Sequence, residues 1–421
     1  MQNPPDRQTD LRPWQLGLTF LLACAVFVSR RPDAVFHAQF YAEDGHVWYA
    51  DAYNLGWWTT LFRTQDGYFQ TLPRLAAALA LHVPLALAPL VLNLIAIAVQ
   101  ALPVILLLSS RSSAWGSLRF RALLAATYLA LPNCREMIAI VTSSQWILTL
   151  CVFLLLAAST PRGLAGRFFD VSILLLCGLT GPFCFFLLPV ALFLAFKRPD
   201  RWRWVTASVL SALCAVQAWG LLVINPTGRA HAALGASPAL FTRMLACQVY
   251  LGTLLGGNGL AASPSRGLLI FSLCLAIGGT AIIALCFVKS TMEMRLFIFL
   301  SSILLAASFI SPAAYPPPGI SRWELLAGVS GIRYWFFPGL AFTWSFLWGF
   351  RSRAAVPRIA SALLLCVMCF GIIRDWKIPA LKDMHFTEYA QRFEAAPAGT
   401  ALTIPENPEG WNVRLVKHAS F

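Results

Sequence analysis

The sequence predicts an all-α polytopic membrane protein with about eleven transmembrane helices. Three observations predict this fold class: 58% of the 421 residues are hydrophobic, only 12% are charged, and the mean hydropathy is +0.68. Apolar content this high, gathered in runs near the length that crosses a bilayer, excludes a soluble globular protein.

The apolar runs divide the chain into the predicted spans. A signal peptide would resemble the first run, but no small-residue cleavage site follows it, so we interpret it as a retained helix. The predicted spans cover residues 14–29, 90–108, 122–131, 146–158, 168–179, 183–196, 205–224, 268–288, 296–310, 334–350 and 359–373.

Between the spans, four segments carry local signals. The turn at 180–182, Thr-Gly-Pro, is so short that the helices on either side are predicted to form an antiparallel hairpin. Residues 71–89 are predicted as a helix near the surface, broken by Pro84 and Pro89, and residues 244–255 as a surface or re-entrant helix. In the tail, turn formers between β-prone runs predict a small strand pair.

The net charge of +14 would suggest a nucleic-acid partner in a soluble protein. Here the basic residues gather in short loops between spans, where they set topology and meet anionic headgroups, so we predict membrane lipids as partners and no nucleic acid. The positive-inside rule then places the N-terminus in the cytoplasm. An odd number of spans leaves the tail outside, which gives a transmembrane domain of residues 1–374, with a first outer loop at 31–88, and a small outer segment at 375–421.

The first outer loop contains the stretch 40–74, which is rich in acids and aromatic rings. Its acids are Glu43, Asp44, Asp51 and Asp66. Aromatic rings pack on the apolar faces of sugars and sit well at a lipid headgroup interface. Carboxylates among such rings predict a place where a carbohydrate is held and a hydroxyl deprotonated. The rings are Tyr41, Trp48, Tyr49, Tyr53, Trp57, Trp58 and Tyr68.

Glu43 and Asp44 cannot easily address one atom, because neighbouring side chains point about 100° apart on a helix and to opposite faces on a strand. One is therefore the candidate base and the other a structural or donor-positioning group. The alternative is that both residues lie at a helix N-terminus, where the helix macrodipole stabilises carboxylates. Asp51 falls on the same helical face as Asp44, whereas Asp66 precedes Gly67 in a predicted turn.

Four arginines, among them Arg333, lie on the predicted outer side, where topology does not require them. A guanidinium is a planar fork that matches phosphate, so a clamp for a phosphate leaving group is the functional interpretation. Arg333 is the best candidate, with Tyr334 beside it; the alternative is an interfacial anchor. Arg135 next to Glu136 could equally be an ion pair. The other two are Arg74 and Arg322.

The candidate site residues are then as follows. We predict as catalytic residues Asp44 and Glu43, and as substrate-binding residues Arg333, Tyr334, Arg74, Arg135, Gln145, Trp48, Asp51 and His46.

No cofactor is predicted. A bound divalent cation stays an open alternative, with His46 and Asp44 as ligands, but two ligands do not define a metal site. The cysteines lie mostly in apolar runs and form no CxxC metal pair with further ligands. No Gly-rich nucleotide loop, GxSxG or HExxH motif is present, so nucleotide donors and zinc peptidase chemistry lack any signal.

The order of these features resembles the integral-membrane glycosyltransferases of GT-C fold, which include lipid-linked mannosyl-, arabinosyl- and aminoarabinosyltransferases. The residues that carry the resemblance are the AEDG motif in the first outer loop, the TGP turn between paired runs, and Arg333-Tyr334 before a late span. The resemblance implies a GT-C-like arrangement, with an acid of the first loop as catalytic base: Asp44 or, failing that, Glu43. It also implies a polyprenyl-phosphate sugar donor. The chain lacks the large soluble C-terminal domain of the bigger members, which leaves acceptor recognition open.

The leading hypothesis is a glycosyltransferase of the bacterial inner membrane, with its active site on the periplasmic face. It would move a sugar from a polyprenyl-phosphate donor to an envelope glycan, lipid or protein. A transporter or flippase of lipid-linked saccharides is the alternative, although such a protein should place charges deep within its spans. A noncatalytic envelope-assembly protein is a third hypothesis, but it would not require acids in the first loop.

Overall fold

The computed structural model describes residues 11–224, 232–257, 266–314, 316–328 and 331–418, and it is mostly helical with two small two-stranded sheets. In chain order the first helices are α1 (Pro13–Arg30), α2 (Asp33–Phe36), α3 (Ala50–Leu55), α4 (Trp57–Leu61), α5 (Thr71–Ala80), α6 (Ala88–Leu108), α7 (Leu118–Leu129), α8 (Ser144–Ala157), α9 (Leu164–Gly178) and α10 (Cys184–Lys197). The later helices are α11 (Arg201–Trp219), α12 (Pro238–Arg243), α13 (Gly252–Leu255), α14 (Arg266–Lys289), α15 (Met292–Ile310), α16 (Arg322–Ala327), α17 (Phe336–Trp348), α18 (Ala355–Asp375) and α19 (Phe386–Ala395).

Within the described residues, six helical segments are long and apolar enough to cross a membrane. Each has at least 18 residues, close to the length that a bilayer core requires. The other five predicted spans correspond to α7, α8, α9, α10 and α17, which have 12 to 15 residues each. The helices are consistent with a membrane protein, while the count of eleven spans stays a prediction. The six are Pro13–Arg30, Leu85–Leu108, Arg201–Ile224, Ile270–Lys289, Met292–Ile310 and Ala355–Asp375.

The predicted hairpin at 180–182 forms a tight turn, in which Gly181 has a φ of +83°. The packing nevertheless departs from a simple hairpin, because α9 and α10 pack mainly on α8 and α11 rather than along each other. The turn itself is held by the first loop: the Gly181 N–H donates to the Phe69 carbonyl at 2.9 Å.

The segment predicted as a surface or re-entrant helix at 244–255 is a π-helix, Met244–Leu251, that continues into α13. It is largely buried against α14 and α18. The segment ends at Gly256, whose φ of +84° suits glycine, and a Cβ there would lie 2.7 Å from the Asp375 Cγ.

The stretch 40–74 is almost entirely structured. A π-helix, Asp44–Tyr49, runs into α3, and α4 leads to strands β1 (Thr64–Gln65) and β2 (Tyr68–Phe69). Asp66 and Gly67 both have positive φ in the turn between these strands, which confirms the predicted Asp-Gly turn. The helix predicted near the surface is α5, but six of its ten residues are buried.

The predicted outer segments lie together at one end of the helices, which we call the cleft end. The first loop, residues 133–143, the turn at 180–182 and the tail contact one another there; for example, Gln70 bridges to Thr180 and Tyr41 to Asn407. The predicted cytoplasmic loops meet at the opposite end, which we call the basic end. There Arg111 donates to the Ser159 carbonyl at 2.9 Å. The predicted outer segments and the predicted cytoplasmic loops thus lie at opposite ends of the helices. Which end faces the cytoplasm stays a prediction.

The tail folds back onto the first loop. Strands β3 (Ala401–Glu406) and β4 (Trp411–Val416) pair antiparallel with Ile404 opposite Val413, which confirms the predicted strand pair. These two side chains are fully buried with Phe393 of α19 in an apolar cluster that includes Tyr49 of the first loop. The tail is therefore packed against the stretch that carries the predicted site.

Candidate functional site

A cleft of about 510 Å³ opens at the cleft end between the first loop, residues 136–146, α10, α15 and the segment around Arg333. This volume falls within the range of pockets that enclose small-molecule ligands. Six of the ten predicted site residues line it: Glu43, His46, Trp48, Gln145, Arg333 and Tyr334.

Asp44 does not line the cleft. Its side chain is buried, and its carboxylate accepts hydrogen bonds from the Thr142 hydroxyl at 2.7 Å, the Thr142 N–H at 3.2 Å and the Val141 N–H at 3.3 Å. These three bonds fasten the first loop to the loop before α8. Burial raises the pKa of Asp44 to about 7, although the hydrogen bonds from Thr142 oppose that shift. The geometry gives Asp44 a positioning role, and its predicted role as the base stays a prediction.

Glu43, the neighbour of Asp44, lies on the cleft wall and is half-buried. Its carboxylate accepts no hydrogen bond from the part of the chain that the structure describes, so it is free to meet a ligand. It stands at the start of the π-helix, directly after Ala42, whose φ of +51° turns the chain. Because adjacent side chains diverge, one acid enters the protein and the other faces the cleft, as the sequence predicted without settling which.

Arg333 lies across the cleft on a 3₁₀ turn, Ile332–Trp335, and its side chain is 35% exposed. Glu136 holds this turn: its carboxylate accepts the Gly331 N–H at 3.2 Å and lies 3.5 Å from the Arg333 Nη1. Arg333 also donates to the Ala313 carbonyl at 3.2 Å, and its guanidinium stacks over the Tyr334 ring at 5.2 Å. Glu136 therefore fixes the position of the Arg333 guanidinium, which stays partly exposed to the cleft.

Trp48 and Gln145 also line the cleft, and both are tied to the same frame. The Trp48 Nε1–H donates to the Thr142 hydroxyl at 2.8 Å, and that hydroxyl donates to Asp44. The Gln145 side chain lies beside the TGP turn, since a Cβ on Gly181 would meet its Oε1 at 2.1 Å. These contacts hold both side chains in place at the cleft wall.

Arg74 and Asp51 lie away from the cleft. Arg74 is buried, donates to Asp51 at 3.2 Å and to the Arg63 carbonyl at 3.1 Å, and stacks over Trp48 at 5.1 Å. Asp51 also lies 3.7 Å from the Arg63 guanidinium. The sequence predicts a substrate contact for Arg74 and a place beside Asp44 for Asp51; in the structure the two pair with each other, and Arg74 supports Trp48 from behind. Arg135 lines a second cavity, described below.

His46 lines the cleft and is exposed. Its Nδ1 lies 2.8 Å from the Asn412 carbonyl oxygen, and its ring meets that of Trp411 edge-on. Asp44 is buried on the other side of the π-helix turn, so the two do not form a ligand pair. Among the described residues, no group of three or more His, Cys, Asp or Glu side chains could hold a metal ion.

The tail adds a buried acid that sequence reasoning missed. Glu406 is 1% exposed, and neither carboxylate oxygen has a hydrogen-bond partner within the described chain. It packs against Gly45, where a Cβ would lie 2.3 Å from the Glu406 Oε2. A signal was present: Leu402, Ile404 and Glu406 alternate along the strand, which places the acid on its inward face.

Burial, together with the charge of Asp44, raises the pKa of Glu406 to about 9, while the backbone N–H of His46 opposes that shift. Glu406 is therefore protonated at neutral pH. Pro408 and Trp411 from the same hairpin reach the cleft wall, so the tail helps to build the site as well as covering the loop.

Between α10 and α15 the wall of the cleft is apolar. Phe183, directly before α10, and Phe186 of α10 face Leu304 and Ala307 of α15 across it. The polar mouth, with Glu43 and Arg333, thus leads to an apolar part bounded by helices of the predicted membrane domain.

No family model and no curated protein matches this chain.

Proposed function

We propose that the protein is a membrane glycosyltransferase that moves a sugar from a polyprenyl-phosphate donor to a hydroxyl of an envelope glycan, lipid or protein. The observation that carries this proposal is the amphipathic cleft. Its mouth holds a free carboxylate and a fixed guanidinium, and its inner wall is apolar. A lipid-linked sugar has the same division, with a sugar and a phosphate at one end and a hydrocarbon chain at the other.

In this proposal Glu43 is the base and Arg333 the phosphate contact. Glu43 takes the proton of the acceptor hydroxyl as that oxygen bonds to the anomeric carbon. The bond from the anomeric carbon to the phosphate oxygen breaks, and the phosphate leaves with the electron pair. Arg333 offsets the charge that appears on that phosphate. Asp44 holds the loop in place through Thr142.

The charge balance of the mouth suits this chemistry. Glu136 neutralises part of the Arg333 charge and fixes its backbone, so the guanidinium does not have to be ordered when a donor arrives. Trp411, which is 37% exposed on the cleft wall, offers a ring for the apolar face of a sugar. The proposed place is the periplasmic face of a bacterial inner membrane; the charge of the loops supports the orientation, and the resemblance supports the bacterial setting.

The test is a transfer assay with the full chain in proteoliposomes and polyprenyl-phosphate sugars extracted from bacterial membranes. Wild-type protein should release polyprenyl phosphate and label an acceptor, and Glu43→Gln should not. Donor that crosses the bilayer unchanged in both proteins would favour the flippase alternative. Donor that is neither consumed nor moved would leave the scaffold hypothesis and overturn the transferase.

A further inference from the structure

A second cavity of about 210 Å³ lies beside the cleft, behind the 3₁₀ turn Ile332–Trp335. Ile332 faces this cavity, whereas Arg333 and Tyr334 face the cleft, so one turn of chain separates the two spaces. We call it the Arg30 cavity. Pockets that enclose drug-sized ligands have volumes of about 300–1,000 Å³. The Arg30 cavity is smaller, and its size suits a small polar group.

The charged lining of the Arg30 cavity is mostly basic: Arg30, Arg135 and Lys377 face a single acid, Asp375. Arg30 is 2% exposed and has no carboxylate within 4 Å among the described residues. Its guanidinium donates to the Leu129 carbonyl at 2.8 Å, to the Leu131 carbonyl at 3.0 Å and to the Cys134 Sγ at 3.4 Å, and it packs over Trp376. Its Nε–H has no partner among the described residues, so the cavity contains a buried cation that forms no ion pair within the described chain.

Asp375, the one acid among the described lining residues, carries a single negative charge against three basic side chains, and the backbone fixes its carboxylate. Its Oδ2 accepts the Asn133 N–H at 2.7 Å and the Gly257 N–H at 3.4 Å. The Asn133 side chain donates in turn to the Gln248 carbonyl at 3.0 Å. Cβ atoms on Gly252 and Gly257 would lie 2.5 Å and 2.7 Å from the Asn133 amide, so the wall is closely packed and holds its polar groups in place.

The depth of the cavity indicates what it meets. Arg30 is the last residue of α1 and Asp375 the last residue of α18, and both helices are long and apolar enough to cross a membrane. The ends of such helices lie at the level of lipid headgroups, where basic residues meet phosphate. Lys377, two residues beyond α18, is exposed at the same level.

We propose that the Arg30 cavity binds the phosphate of an anionic lipid headgroup. The assignment rests on the uncompensated positive charge and on the position at the helix ends, and it does not depend on sugar transfer. Free inorganic phosphate shares the recognised chemistry, but it would gain nothing from a site at the headgroup level.

The experiment uses the full chain in neutral detergent, with bound species counted by native mass spectrometry. The probes are dioctanoyl phosphatidic acid, dioctanoyl phosphatidylcholine and inorganic phosphate. Phosphatidic acid should bind with a stoichiometry near one, and the other two at least about tenfold more weakly. Lys377→Gln removes one lining charge from an exposed position, so the fold should survive, and affinity for phosphatidic acid should fall about tenfold.

Arg374→Gln is the matched control. Arg374 lies in the last turn of α18 and is exposed, but it is outside the cavity lining. It should lower affinity less than about twofold, because it does not line the cavity and contributes only general surface attraction. Equal losses in Lys377→Gln and Arg374→Gln would reduce the binding to general surface attraction and overturn the site. Inorganic phosphate that binds as tightly as phosphatidic acid would overturn the lipid assignment.

Discussion

Among the described residues, the basic end buries two carboxyl groups and the cleft end three, and the ends treat them differently. Asp33 at the cleft end lies 3.8 Å from the Arg31 Nε, but the other two there have no such partner. At the basic end, Asp170 is 2% exposed and accepts a bidentate pair from Arg111 at 2.8 and 2.7 Å. Glu293, at 3%, lies 2.8 Å from an Arg198 nitrogen. At the cleft end, Asp44 and Glu406 are buried to the same degree, and among the described residues neither has a cation within 4 Å.

The difference separates buried acids neutralised by arginine from buried acids that lie beside the proposed site. A buried carboxylate paired with arginine is neutralised locally, and removing the arginine leaves an uncompensated charge. A buried carboxyl without a cation has its pKa raised instead, to about 7 for Asp44 and about 9 for Glu406. Shifted acids beside a cleft are typical of functional sites, and here they lie directly behind Glu43.

The largest effect that would sharpen this comparison is on turnover. Glu43→Gln keeps the shape of the side chain but cannot accept a proton at neutral pH, so the transfer rate should fall about 10²–10⁴-fold. Donor binding should change much less, because the proposed phosphate contact is Arg333 and not Glu43. Initial rates and donor affinity, measured on the same proteoliposomes, separate the two quantities.

Asp44→Asn is the internal control for that experiment. The amide can still accept from Thr142, so we expect a smaller loss of rate than for Glu43→Gln. If Asp44→Asn abolishes turnover while Glu43→Gln retains it, the roles are exchanged, as the resemblance first implied. If both variants turn over normally, the cleft end is not catalytic and the comparison between the ends loses its functional meaning.

The apolar runs and turn signals predicted much of this architecture. The runs gave the main helices, and the Asp66-Gly67 turn follows from local backbone chemistry. Which of Glu43 and Asp44 faces the cleft could not be predicted. That choice depends on Thr142, about a hundred residues further along the chain, whose hydroxyl and N–H draw Asp44 inward.

Arg74 and Glu406 were harder to place from the sequence, because their surroundings depend on how the first loop and the tail fold. Arg74 was predicted at a phosphate because it stood outside a span without need, but its partner Asp51 is in the same loop and neutralises it. Glu406 lies in a tail that pairs with itself and then docks on Gly45. Strand alternation places Glu406 inward, but only the docking places it beside Asp44.

The second effect tests the paired end. Arg111→Met would leave Asp170 buried with only the Trp202 indole N–H, at 3.3 Å, as a side-chain partner. We expect the free energy of unfolding to fall by about 3 kcal/mol, since a buried charge loses its counter-ion. Thermal unfolding in neutral detergent measures the loss. The double variant Arg111→Met/Asp170→Leu should regain most of it; an unchanged midpoint in the single variant would contradict a structural role for the pair.

The third effect is on donor affinity. Arg333→Lys keeps the positive charge but loses the planar fork that contacts both Glu136 and the Ala313 carbonyl, so donor affinity should fall about tenfold. Arg322→Lys is the matched control, because Arg322 was also predicted on the outer side but does not line the cleft. Donor binding as tight as wild type in Arg333→Lys, measured by titration in proteoliposomes, would remove Arg333 from the phosphate contact.

The closest test of the unpaired end concerns Glu406. Its pKa is about 9 in the folded protein and about 4.5 when unfolded, so between these values the folded state binds more protons. Stability should therefore fall as pH rises from about 5 to 9, with a slope of at most about 1.4 kcal/mol per pH unit from this group.

Glu406→Gln mimics the protonated form at every pH. At about pH 5 the wild-type Glu406 is already protonated in the folded state, so the two unfolding midpoints should nearly coincide; as pH rises to 9, the wild-type midpoint should fall below that of the variant. Asp44 is present in both proteins, so its own titration largely cancels in the difference. Glu409→Gln is the control in the same hairpin, because Glu409 is exposed and should give no such divergence. Parallel midpoints for wild type and Glu406→Gln across this range would mean that Glu406 is ionised and compensated in the folded protein, and the contrast between the two ends would then rest on Asp44 alone.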